Sequence, residues 1–297
     1  MRPPKGSPKK GRRSVTVCVG AITDNSNAIV CVADKSANYG QDLQWDSGAS
    51  KMLEVGDTGI HVLISGDDAL CQELLTRLAL SPDFSNGDIR KSMQEAKQHF
   101  QDLQDETIVD IVLRPNLLDK TAYLELLRSD SVTSEYVKGI ARKVSEFEFE
   151  CDLMFCGFDG NEKPFIQALV SPGKIVDATH SGFYAIGSGW EKAISRLLFQ
   201  DYEKGDSLQK CLYDAFDAKV TAEMVPTVGY EWDAKILIKG RRGCVLDKLH
   251  KEMLETLWGK INGSPFGRDE EEIKLKGGAK TWIKELAAYA ESLKSTP

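Results

Sequence analysis

Four short segments hold the residues with the means to do chemistry. VADKSANYG (32–40) carries a strand that ends on Asp34, and Lys51 opens the strand-like run KMLEV. Gly66 sits between the run GIHVLISG and a helical pattern that starts at Asp67. Ser188 lies in Gly187-Ser188-Gly189, at a strand-to-helix junction. A carboxylate and an ammonium at two strand ends can pair. Backbone N–H groups at a helix start can face an anion. Each residue also has an ordinary reading: a turn carboxylate for Asp34, an exposed strand-end lysine, a tight-turn glycine, and a helix N-cap for Ser188. Other chemistries find no support. None of the seven cysteines forms a CxxC pair, and the four histidines are scattered, so no zinc cluster is spelled out. Neither GxGxxG nor GxxxxGK[ST] occurs, so nucleotide-dependent chemistry and a cofactor are not expected.

The elements that must position these residues follow from periodicity. SVTVCVGAI (14–22) and AIVCVAD (28–34) are rich in β-branched residues and flank the turn cluster TDNSN, a hairpin signal with a loop of about four residues. Both runs are apolar at nearly every position, so both faces should be covered. KMLEV (51–55) and GIHVLISG (59–66) make a second pair. Leu70, Leu74, Leu75 and Leu78 fall at helical spacing before Pro82, and a longer helix is expected over about 88–105. Strands return at 148–158, 164–170, 174–180 and 183–188. Two helices follow, one led by Trp190 and one with Leu208, Cys211, Leu212, Ala215 and Phe216 on one face. A strand at 233–240 and an amphipathic helix over Leu246–Trp258 complete the pattern. Runs of strands and runs of helices do not alternate, which argues against a doubly wound parallel sheet. Two antiparallel sheets with helices packed outside fit better.

The chain has 297 residues, 41% of them hydrophobic and 28% charged, with a net charge of −7. That is a globular balance. No apolar run reaches the roughly 18 residues of a membrane span, and an acidic chain is a poor candidate for a dedicated nucleic-acid binder. The charge is uneven. Residues 1–13 hold Arg2, Lys5, Lys9, Lys10, Arg12 and Arg13 and no acid, leaving 32 basic against 45 acidic residues elsewhere. This segment reads as a solvated tail, a removable leader or a basic arm; no apolar core follows it, so it is not a secretory signal. Reduced cysteines in the cytoplasm are the simplest account of the cysteine usage.

Taken in order, TVCVGA (16–21), AD-x-x-A at Ala33, K-x-x-E-V at Lys51 with the following SG-x-x-A, and AIGSG-x-x-x-A at Ala185 resemble proteasome β-subunits and the related peptidase of the bacterial two-component ATP-dependent protease. The resemblance covers roughly 14–105 and 148–240. It implies an α+β fold: a four-layer α/β/β/α sandwich of two antiparallel sheets, of the N-terminal nucleophile hydrolase type. It implies a domain over 14–240 with a helical insertion at about 106–146, and a C-terminal helical extension over 241–297. It implies hydrolysis of peptide or unfolded-protein substrates by a threonine that a propeptide uncovers, its free α-amine acting as base. Within that resemblance Asp34 and Lys51 match the aspartate and lysine that tune the site, Gly66 the oxyanion-hole donor, and Ser188 the serine near the nucleophile. Counting back through a hairpin loop about two residues longer than usual puts the nucleophile at Thr16. Ser14 takes its place if the extra residues lie elsewhere, and an ungapped count gives Cys18, which reads more simply as a small buried hydrophobe. A homo-oligomeric ring, and an ATP-dependent unfoldase as partner, are also implied.

The chain departs from the family pattern in two places. Val15, not glycine, precedes Thr16, and fifteen residues come before it. In AEMVPTVGYEWD (222–233), Glu223 and Thr227 stand where the family has an aspartate and a serine, unless this is a plain loop. Two other readings therefore remain open: a catalytically silent subunit serving assembly or regulation, and an N-terminal nucleophile amidase acting on small amides.

Overall fold

The computed structural model describes residues 16–39, 43–46, 50–56, 58–81, 88–129, 134–225, 228–241, 243–262 and 288. The basic segment 1–13, Ser14, Val15, Thr227 and the C-terminal stretch from 263 that was expected to hold a charged loop and a second helix lie outside the described residues, Ala288 excepted.

The opening hairpin is β1 (Cys18–Thr23) and β2 (Ala28–Asp34). Its turn holds Asp24, Asn25 and Ser26 at φ 55°, 54° and 73°, all left-handed. Asx residues tolerate that region because their short polar side chains bond locally; here the Asn27 side-chain amide donates to the Asp24 carbonyl at 2.9 Å. A second hairpin, β3 (Ser36–Tyr39) and β4 (Leu43–Asp46), stands apart as a two-stranded ribbon. Then come β5 (Met52–Glu54) and β6 (His61–Gly66). Lys51 was read as opening the third strand. It instead immediately precedes the fifth, because two further strands, each only four residues long and so hard to delimit from sequence, come before it.

Helix α1 (Asp68–Ala79) is capped by Asp67, whose side chain accepts from the Ala69 and Leu70 amides. Helix α2 (Ile89–Ile108) runs without a break into a π-helical turn over Val109–Leu113 and a 3-10 turn over Arg114–Asn116. Leu117 at φ 58° ends it. Helices α3 (Lys120–Arg128) and α4 (Glu135–Ser145) follow, and residues 106–108 belong to α2.

The second half supplies β7 (Cys151–Phe158), β8 (Pro164–Val170), β9 (Lys174–Asp177) and β10 (Phe183–Ile186). Helices α5 (Trp190–Phe199) and α6 (Leu208–Ala222), β11 (Trp232–Ile238), β12 (Cys244–Val245) and α7 (Lys248–Asn262) complete it. Two five-stranded sheets result, ordered β10-β1-β2-β11-β12 and β5-β6-β7-β8-β9, and every pairing in them is antiparallel.

All thirteen residues of β1 and β2 are buried because both faces of their sheet are covered. The strand period of two divides them. Val19, Ala21, Ala28, Val30 and Val32 pack with Ala193, Leu197, Cys211, Ala215 and Leu254 of the helices. Cys18, Ile22, Ile29, Cys31 and Ala33 pack with Leu63, Met154, Cys156 and Ile166 of the other sheet. On that sheet Val62, Ile64, Leu153 and Phe155 take the opposite face and meet Leu74, Leu78, Met93 and Phe100 of α1 and α2. Helix α7 closes over α6 and β11. The Trp258 indole donates to Asp217 at 2.6 Å and the Trp232 indole to Glu255 at 2.7 Å. Among the described residues no helix is long and apolar enough to cross a membrane.

His61 adds an acid-sensitive point to this frame. It is buried at the start of β6, with Nδ1 3.2 Å from the Gly59 carbonyl. Burial, then the nearby Lys235 charge, holds its pKa below the ordinary 6.5. The folded state therefore prefers the neutral ring. The stability it contributes is complete above pH 6.5 and is lost as pH falls from there toward the folded value. Urea midpoints of wild type should drop between about pH 7.5 and about pH 5.5, and His61→Gln should flatten that drop. An equal drop in both proteins would assign it to another group.

Candidate active site

The start of β1 is where the sequence-selected residues meet. Thr16 lies just before the strand, buried, and its carbonyl accepts from the Gly189 amide at 3.3 Å and the Ser188 hydroxyl at 3.4 Å. The same Ser188 oxygen faces the Thr16 N–H at 3.5 Å. Ser188 was expected either near the nucleophile or as a helix cap. Gly189, not Ser188, is the cap residue of α5, and no side-chain capping bond is made there. The Ser188 hydroxyl addresses the Thr16 backbone.

Asp34 ends β2 and is fully buried. Its Oδ1 accepts from the Val17 amide at 3.0 Å and from Lys51 Nζ at 3.2 Å, and its Oδ2 from the Gly229 amide at 3.1 Å. Burial pushes the Asp34 carboxyl up. The Lys51 charge, the two amides and the Lys219 charge pull against that push. Lys51 is itself buried, and its ammonium also donates to Thr16 Oγ1. The ammonium thus bridges the hydroxyl and the carboxylate. An ammonium hydrogen-bonded to a hydroxyl stabilises the developing alkoxide and lowers the cost of attack by that oxygen.

Gly66 ends β6 at φ 124°, and a Cβ there would fall 2.2 Å from the Glu150 carbonyl oxygen. Its neighbour Ser65 ties it to the site: a Cβ on Gly187 would lie 2.9 Å from Ser65 Oγ and 2.3 Å from the Thr16 carbonyl oxygen. The structure thus links Thr16, Asp34, Lys51 and Ser188 through hydrogen bonds, whereas Gly66 follows Ser65, whose hydroxyl lies beside Gly187. Cys18 is excluded as a nucleophile by its surroundings. It is fully buried, its thiol donates to the Ile64 carbonyl at 3.4 Å, and burial pushes its pKa far up. The Glu223 carboxylate accepts from Lys219 Nζ.

Sequence reasoning missed the Gly229 amide, the Gly189 amide and Lys219. The two amides carry no signature beyond a glycine in a loop. Lys219 did offer one: a lysine four residues before Glu223, in the apolar run of α6.

No family model matches the chain, and no curated protein matches it. A solved structure does: Anbu (ancestral beta-subunit) from Yersinia bercovieri, with a TM-score of 0.58. The match covers 89% of this chain and 100% of that one at 15% identity. The chain has a proteasome-like fold. At that identity the likeness speaks for the fold alone. What the proteasome-like frame does in this chain rests on its own residues: the buried strand β1 delivers Thr16 to the cation that β5 and the carboxylate of β2 hold.

Proposed function

We propose that this chain is a threonine-type peptidase of the N-terminal nucleophile kind, in which removal of residues 1–15 frees the Thr16 amine beside its hydroxyl. The observation that carries the reading is the Lys51 ammonium shared between Thr16 Oγ1 and the buried Asp34 carboxylate. In that reading the three core clusters are the seams of a four-layer α/β/β/α sandwich. The Thr16 hydroxyl attacks the scissile carbonyl, its own amine takes the proton, and the Gly66 N–H receives the oxyanion. Self-association into a homo-oligomer belongs to the same proposal. Leu198 and Phe199, exposed on α5, are suited to a contact between copies.

One observation favours a second reading, a catalytically silent subunit: Val15 stands where self-processing requires a glycine in the family resembled. Intact mass and turnover of fluorogenic peptides by the purified protein separate the two. A chain that begins at Thr16 and hydrolyses peptides carries the peptidase. A chain that keeps residues 1–15, and stays inert even when released to begin at Thr16, overturns it.

A further inference from the structure

Lys219 is a cation placed where cations are costly. Its side chain is fully buried in α6, and burial pushes its pKa below the ordinary lysine value while Glu223, Asp34 and Glu255 push back. A buried ion pair is weak evidence for stability, because well-packed apolar residues of similar volume often do as well. What Lys219 touches is more informative. Its Nζ donates to the Tyr230 carbonyl at 2.7 Å and to the Glu223 carboxylate one turn along α6. The segment it grips continues to the Gly229 amide, which donates to Asp34 Oδ2. The next carbonyl, of Glu231, accepts from the Lys35 amide at 2.9 Å, and Trp232 is paired with Asp34 across the sheet. Residues 229–232 are therefore strapped to the Asp34 end of β2, with Lys219 behind the strap.

We propose that Lys219 is a positioning residue. Through the Tyr230 carbonyl, two peptide units along the chain, it fixes the segment that presents the Gly229 N–H to Asp34, and its charge gives that carboxylate a second cation besides Lys51. The inference rests on the peptidase reading for its consequence, since a fixed and ionised Asp34 is what holds Lys51 against Thr16. Its geometry does not depend on turnover. The charged and titratable groups around the pair are Lys51 before β5, Cys18 on β1, Lys219 on α6, Glu223 at its C-terminal cap, and Glu255 on α7.

Two variants test it on the full chain. Lys219→Gln keeps a donor for Tyr230 and removes the charge. Lys219→Met with Glu223→Gln removes the pair together, leaving no unpaired buried charge. In Lys219→Gln the Asp34 carboxyl, followed by carbon-13 NMR and assigned with Asp34→Asn, should titrate about one pH unit higher than in wild type, the low end of a neighbouring charge's effect. In the double variant, hydrogen exchange at the Gly229 amide should accelerate by about tenfold or more. Folded variants in which both readouts match wild type would reduce Lys219 to core filling and overturn the inference. Neither readout needs hydrolysis. A wild type that shows these shifts but stays inert even when released to begin at Thr16 would sink the peptidase and leave the strap standing, and unchanged readouts in an active enzyme would do the reverse.

Discussion

Lys51→Met is expected to remove peptide hydrolysis and about 3–5 kcal/mol of stability in one step, the cost of breaking a buried ion pair on one side. Methionine replaces the lysine stem in volume, so cavity formation contributes little. What remains is a fully buried Asp34 with the Val17 and Gly229 amides and no cation at 3.2 Å. Thr16→Ala should act differently. It removes the hydroxyl that Lys51 addresses and leaves the ion pair intact, so activity falls by on the order of a thousandfold or more while stability changes by about 1 kcal/mol. The combination Asp34→Asn with Lys51→Met separates the two effects. It removes both charges, so it should regain part of the stability lost by Lys51→Met, the asparagine oxygen accepting from only one of the two amides, and none of the activity. Urea midpoints and fluorogenic peptide turnover on the four proteins read this out. Retained turnover in Lys51→Met would remove the ammonium from the mechanism. A double variant as unstable as Lys51→Met would mean that the lysine stem, not the charge, was holding this corner.

The parts of this arrangement that the sequence makes legible are those fixed by hydrophobic pattern. β2 and β8 can be delimited from the sequence alone, because each is a β-branched or aromatic run cut off by turn residues on both sides. Asp34 and Lys51 are legible for the same reason: each is a charge at the edge of such a run. Ser36–Asp46 is not. Its runs SANY and LQWD do alternate, but at four residues each they are too short for the period of two to stand out. Nor is β12, two residues long at a sheet edge. The site's backbone donors escape for a deeper reason. The Gly229 and Gly189 amides matter through where the chain runs, and a peptide N–H is the same at every position until the fold has placed it. Lys219 lies between these cases, since its residue type is unusual for its helix face but its target is a carbonyl eleven residues on.

The turns that hold Thr16 in place set the second large effect. Gly187→Ala should destabilise the protein by about 2–4 kcal/mol, from left-handed strain and overpacking together. At φ 90° an L side chain is disfavoured, and the added Cβ would stand 2.3 Å from the Thr16 carbonyl oxygen and 2.9 Å from Ser65 Oγ. The first of these atoms is backbone and can yield only by moving Thr16. Relief therefore carries the hydroxyl away from Lys51, and misplacement of a reacting atom by about 1 Å costs about a hundredfold in rate. Gly66→Ala meets a comparable obstacle, 2.2 Å from the Glu150 carbonyl oxygen at φ 124°, but its collision lies on the approach to β7 and not on Thr16. Gly56→Ala is the control: φ is 54° with nothing within 4 Å of the new Cβ, so only the left-handed strain of about 1–2 kcal/mol remains. The ordering of stabilities should be wild type, then Gly56→Ala, then the other two. Compared at a temperature where every variant is folded, Gly187→Ala should also lose turnover that Gly56→Ala keeps. If the folded Gly187→Ala protein turns over peptide at the wild-type rate, Thr16 is not held by the 187–189 turn, and its contact with Lys51 must be fixed from β1 alone.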